Sequence, residues 1–128
     1  MNEKTDKTRE AFHLLDRLGS LERHEIEKHF SSDNFNSIST LIDELSDEKN
    51  LLALASPANF SKLILELREI KRFWGRKLGD AIIAADEKAA SKDIDGAISI
   101  LEHFIKNCTS PFHRKHAQNQ IQYYTKNK

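Results

Sequence analysis

From Ser56-Pro57 to about residue 91 the chain gives a helix no reason to stop. Ser56 suits an N-cap and Pro57 suits the first helical position, where a missing N–H costs nothing. No further proline appears until Pro111. Leu63, Leu67, Ile70, Trp74, Leu78, Ala81, Ile82, Ala85 and Ala89 recur at threes and fours, the spacing of one helical face. Gly75 and Gly79 interrupt this run, each at a cost of roughly 1 kcal/mol relative to alanine. The pattern predicts one long central helix over 57–91, or two nearly collinear helices with a bend near Gly75, where a neighbouring helix could come close.

A helix of that length leaves few options for the rest of the chain. Only 4 glycines and 2 prolines serve all 128 residues, too few turn formers for a β-sandwich. Valine is absent, which removes a principal strand former. The expected fold is an all-α single-domain bundle of five or six helices, long enough to bury one core without disulfides.

The flanking segments read as follows. KTREAFHLLDRLG places Ala11, Leu14, Leu15 and Leu18 on one face, and Gly19 suits the position that ends a helix. Ser20 is a candidate cap for LERHEIEKHF, with Leu21, Ile26 and Phe30 inward. A third helix over about 34–48 points Phe35, Ile38, Leu41, Ile42 and Leu45 one way. Asn36, Thr40, Asp43, Glu44, Asp47 and Glu48 point the other. LLALA at 51–55 fits a helical turn or a strand equally well. Residues 92–126 form a hairpin. KDID turns and caps; Ile94, Ala97, Ile98, Leu101, Phe104 and Cys108 face inward; Thr109-Ser110-Pro111 starts a last helix lined by Phe112, Ala117, Ile121 and Tyr124.

The small residues Ala85, Ala89 and Ala90, the Lys92-Asp93 corner, and Ile94 with Ala97 resemble a tetratricopeptide-type helical hairpin. Over 68–124, the basic run before KLGDAI, the KDIDGAISIL corner and the SPFHRKHA helix start are similar to the DUSAM domain. These resemblances imply a helical hairpin array of a protein-binding kind, and no catalytic residue. The rhythm of LLDRLGSLERHEIEKHFSSDNFNSISTLIDELSDEKNLL resembles the first three helices of winged-helix domains, which implies DNA binding.

Charge is balanced at 20 basic and 20 acidic side chains but unevenly placed. Residues 1–56 carry 7 basic against 12 acidic groups, whereas 57–92 carry 8 against 5. Such a dipole speaks against a general nucleic-acid cation. Asp33, Asp43, Glu44, Asp47 and Glu48, answered only by Lys49, would set a recognition helix against phosphate. The lone cysteine excludes an internal disulfide and suits a reducing cytoplasm. The charged start lacks a secretory apolar core, and no run has the length of a membrane span.

Four places in the sequence concentrate residues of possible chemistry. His103, Cys108, His113 and His116 concentrate rare residues, but helical phase turns them in different directions, away from the tetrahedral convergence zinc needs. HEIEKH spaces His24 and His29 five apart rather than the four that a zinc-protease helix uses. A Cys108–His113 nucleophile pair lacks an orienting third group. The basic stretch Arg68, Lys71, Arg72, Arg76 and Lys77 around Trp74 could grip RNA or an acidic partner, or pair with the acidic front while Trp74 joins the core. No catalytic, cofactor or metal residue is expected. The candidate partner-binding residues are Asp43, Glu44, Asp47 and Glu48. The whole chain looks like the small helical immunity proteins of contact-dependent growth inhibition, which implies a cytoplasmic protein that neutralises a cognate toxin, for instance a basic nuclease. The alternatives are a winged-helix-like regulator and a tetratricopeptide-like peptide adaptor.

Overall fold

Each helix can be traced to the residues that start and stop it. The computed structural model describes residues 3–47 and 54–126. Among these residues seven helices run in order: α1 Glu3–Gly19, α2 Arg23–Lys28, α3 Ser32–Ser39, α4 Leu41–Leu45, α5 Pro57–Ala90, α6 Ile94–Asn107 and α7 Pro111–Lys126. Among the described residues there is no strand, so the chain is all-α. α3 and α4 are separated by Thr40 alone; taken as one interrupted helix, they make the total six.

α5 is continuous through both glycines. Ser56 caps it as expected, its hydroxyl accepting from Asn59 N at 3.1 Å. No close contact demands glycine at either position. A Cβ at Gly75 would lie 3.8 Å from His113 Nε2, an ordinary contact, and one at Gly79 would meet nothing within 4 Å.

The third helix departs from expectation at both ends and in its middle. Ser31 accepts from Asn34 N at 3.0 Å, so helix begins at Ser32. The Thr40 hydroxyl donates to Ser37 O at 2.7 Å. Thr40 N is shared between Asn36 O and Ser37 O at 3.3 Å each. Side-chain hydroxyls competing for backbone carbonyls are a recognised source of such breaks. α4 then ends at Leu45, with Ser46 extended. Ser20 also takes a different part. Its hydroxyl donates back to Arg17 O at 3.0 Å, closing α1 instead of opening α2. The N-cap of α2 is Glu22, and Leu21 is 36% exposed rather than inward.

Backbone contacts gather into two compact units, Met1–Lys71 and Arg72–Lys128, with the division inside α5. In the first, Ala11, Leu15 and Leu18 of α1, Ile26 of α2, Phe35 and Ile38 of α3, and Leu41, Ile42 and Leu45 of α4 are buried. α5 contributes Phe60, Leu63, Ile64 and Leu67. Phe30, Phe35 and Phe60 meet with ring centroids 5.9 to 6.5 Å apart. Ser61, fully buried beside them, sits 3.2 Å from both Arg23 Nε and Glu27 Oε2 and 3.0 Å from Ala58 O, which ties α2 to α5.

In the second unit, Ala85, Ala97, Leu101, Ile121 and Tyr124 form one cluster. Leu78, Phe104, Cys108 and Ala117 form another, with Trp74, Ala81, Ile82 and Ile105 packed against it. Asp93 caps α6 by accepting from Gly96 N at 2.9 Å. The preceding Lys92 takes a left-handed conformation at φ 67, which turns the chain out of α5. At the far end of the hairpin Ser110 caps α7, accepting from His113 N at 3.4 Å, and Pro111 follows at the first helical position.

Candidate partner-binding surfaces

The acidic candidates lie where α4 has one side to spare. Leu41, Ile42 and Leu45 of this five-residue helix are buried, which turns Asp43 outward. Glu44 is half-buried, and Asp47 is exposed just beyond the Ser46 cap. The structure thus places Asp43, Glu44 and Asp47 within five residues on and just beyond α4. Glu48 lies outside the described residues. Asp33, in the first turn of α3, is also exposed.

Asp16, Glu25 and Glu27 of this unit have basic neighbours. Lys71 Nζ reaches Asp16 at 2.8 and 3.1 Å and lies 5.3 Å over the Phe12 ring. Arg23 is 3.7 Å from Glu27. A hydrogen bond from Lys28, reinforced by its charge, holds the Glu25 carboxyl below its usual range. The internal pairing expected between the basic stretch and the acidic front therefore holds for Lys71.

Arg72, Arg76 and Lys77 of the basic stretch belong to the second unit. Trp74 is half-buried, with Phe104 edge-on at 6.0 Å, so it is a core residue. The exposed ring is its neighbour. Phe73 is 51% exposed, packs edge-on against Trp74 at 4.8 Å and carries Lys77 Nζ at 5.6 Å. Arg72, Arg76 and Lys77 are all exposed. Helical periodicity singles out Trp74, not Phe73, as the ring of this stretch. The signal was present, since Phe73 stands off the stripe that runs Ile70, Trp74, Leu78.

The histidines disperse as helical phase predicted. His103 is exposed, its Nε2 3.3 Å from Asn107 Nδ2. His116 is exposed against Phe112, with ring centroids 4.6 Å apart. His113 is buried, its Nδ1 2.6 Å from the Ser110 hydroxyl. Cys108 Sγ lies 3.4 Å from Ser110 N and 3.5 Å from Ser110 O. Arg114 Nη1 donates to Cys108 O at 2.8 Å. Ser110 is thus the hub of this corner, serving thiol, imidazole and helix end together. Among the described residues, no three His, Cys, Asp or Glu side chains gather into a group that could hold a metal ion. In HEIEKH, His24 lies on α2 beside Glu22 and Glu25 at 3.5 and 3.2 Å, whereas His29 is already the C-cap.

A polar contact between α5 and α7 supports a testable pH dependence. Tyr124 is buried, and its hydroxyl donates to Asp86. Burial, and then that hydrogen bond, push the phenol above its ordinary value of 10.0. A folded value above the unfolded one favours the protonated form. Its stability contribution is therefore complete below about pH 10 and is lost as pH rises through the folded value. Tyr124→Phe should cost about 1 kcal/mol at pH 7. The gap to the parent should narrow in urea titrations carried above about pH 10. A gap that stays constant through that range would refute the coupling.

No helix among the described residues is long and apolar enough to cross a membrane. No protein-family model, curated protein or solved structure matches the chain.

Proposed function

We propose that this chain is a non-enzymatic protein-binding domain that docks a basic partner on the acidic end of α4, in the manner of an immunity protein that neutralises a cognate toxin. The observation that carries this reading is the placement of Asp43, Glu44 and Asp47. A short helix with its apolar side committed to the core turns Asp43 outward, with Glu44 half-buried beside it and Asp47 exposed just beyond the helix end. Electrostatic complementarity of this kind acts mainly on association rate and on the choice of partner. A nuclease toxin, which must be basic to hold its own substrate, fits such a surface. The partner to test is the product of the adjacent reading frame.

Charge reversal of Asp43, Glu44, Asp47 and Glu48 to lysine should slow association with that partner by about tenfold or more at low ionic strength. The difference should shrink as salt is added, because screening shortens the reach of the steering field. Stopped-flow association rates that are unchanged at low salt would sink the acidic-surface reading. The winged-helix reading makes the opposite demand, since Asp33, Asp43 and Glu44 would have to approach phosphate. A salt-dependent shift of duplex DNA in a gel would support it against the toxin-binding reading.

A further inference from the structure

The outer face of α5 in the second unit has a regular spacing that the core does not use. Phe73, Arg76, Asp80, Ile83, Glu87 and Ala90 follow one another at intervals of three, four, three, four and three, and all six are exposed. Alternation of three and four is the spacing of a seam along which two helices wind together. Two large apolar side chains stand on it, Phe73 at 51% and Ile83 at 61% exposed. The charges on it are ordered, with Arg76 toward the N-terminal end and Asp80 and Glu87 toward the C-terminal end. Arg76, Asp80 and Glu87 make no ion pair among the described residues.

We propose that this seam is the contact between two copies of the chain, paired antiparallel through α5. The charge order selects the occupant. A nucleic-acid strand drawn to Arg76 would meet Asp80 and Glu87 along the same line, and a uniformly acidic peptide would meet the same repulsion. A second copy running the other way pairs the opposite charges of the seam. With the two-fold axis between Ala81 and Ile82, Arg76 faces Glu87 of the other copy and Glu87 faces its Arg76. Phe73 lies over Ala90, a ring over a small residue, and Ile83 lies beside Asp80. An isologous contact requires this self-complementarity, in which each residue meets its partner twice. Asp80 is the one polar position near the axis; it weakens the pair and disfavours other registers, as a single polar seam residue does in coiled coils. A single pair of helices buries less than the roughly 1,200 Å² of a standard interface, so the dimer is weak and forms at high concentration.

Sedimentation equilibrium of the full chain in low salt tests this. The weight-average mass should climb from monomer toward dimer as concentration approaches about 1 mM. Arg76→Glu sets like charges against each other twice and should return the chain to monomer, with an unchanged circular dichroism spectrum because the site is exposed. The double exchange R76E/E87R should restore association, an outcome that a merely local effect of either substitution would not give. Asp80→Leu, which replaces the carboxylate beside Ile83 by an aliphatic chain, should move dimerisation to lower concentration. A chain that stays monomeric at about 1 mM overturns the proposal. So does self-association that Arg76→Glu leaves intact, or a double exchange that fails to restore it. None of these outcomes depends on the acidic α4 surface or on its partner.

Discussion

Phe60→Ala should lower the free energy of unfolding by about 4 kcal/mol, read from the urea midpoint. Phe60 is completely buried at the start of α5 and lies between Phe30, at 5.9 Å, and Phe35, at 6.5 Å. Phe30 stands just before α3 and Phe35 on α3 itself, and each is held by its own backbone. The space left by the missing ring would therefore not close by a small shift, and its lining atoms would lose their dispersion contacts outright. A loss of that size is a large share of the total for a domain whose stability is on the order of 10 kcal/mol. Phe73→Ala removes the same ring from a half-exposed site and should cost under about 1 kcal/mol. Similar losses for the two variants would mean that the aromatic cluster around Phe60 is not close-packed.

The second large effect is expected in the hairpin. Leu101→Ala should cost about 3 kcal/mol. Leu101 is fully buried on α6, in one cluster with Ala85 and Ala97 and with Ile121 and Tyr124. The alanines bring the helix backbones close, and Leu101 fills the space between the larger side chains. Ala85 and Ala97 are too short to move into the gap, so most of the cavity would persist. Ile83→Ala, at a site 61% exposed, is the matched control and should change stability by under about 0.5 kcal/mol. Should the Leu101 variant also lose less than that, the cluster would be loose rather than interlocked.

Where a helix's limits are set by residues next to it, they were legible in the sequence. Ser56-Pro57, Asp93 and Ser110-Pro111 begin α5, α6 and α7 because the capping oxygen and the N–H it accepts from belong to the same short stretch. The inner stripe of the hairpin was legible for the same reason, since periodicity fixes which side chains share a face. Serine hydroxyls were harder to read, because they donate backward as readily as they accept forward. Ser20 serves α1 instead of α2, and Thr40 breaks a helix whose apolar pattern continues across it. Phe60 and Ile64 lie on one side of the Leu63–Leu67 line, at the helical phase of Leu78 and Ile82 eighteen residues on, and both are buried.

For the candidate site, the exposed position of Asp43 followed from its place opposite Leu41, Ile42 and Leu45, whereas Asp47 is exposed beyond the end of α4. The partners of charged groups did not follow. Asp16 and Lys71 are 55 residues apart, and no local rule joins them. His113 was the least legible of the histidines. Its burial depends on a hydroxyl three residues earlier being free to meet its ring nitrogen, a matter of side-chain direction rather than of spacing.

The corner between α6 and α7 gives the molecule a reporter of its own. Cys108 is the only cysteine in the chain and is 4% exposed, packed with Leu78, Phe104 and Ala117. A thiol reagent added to the folded protein reaches it only in those moments when the hairpin opens. The rate of modification is therefore a clock for excursions of the second unit by itself. The first unit contains no sulfhydryl and is silent to the reagent.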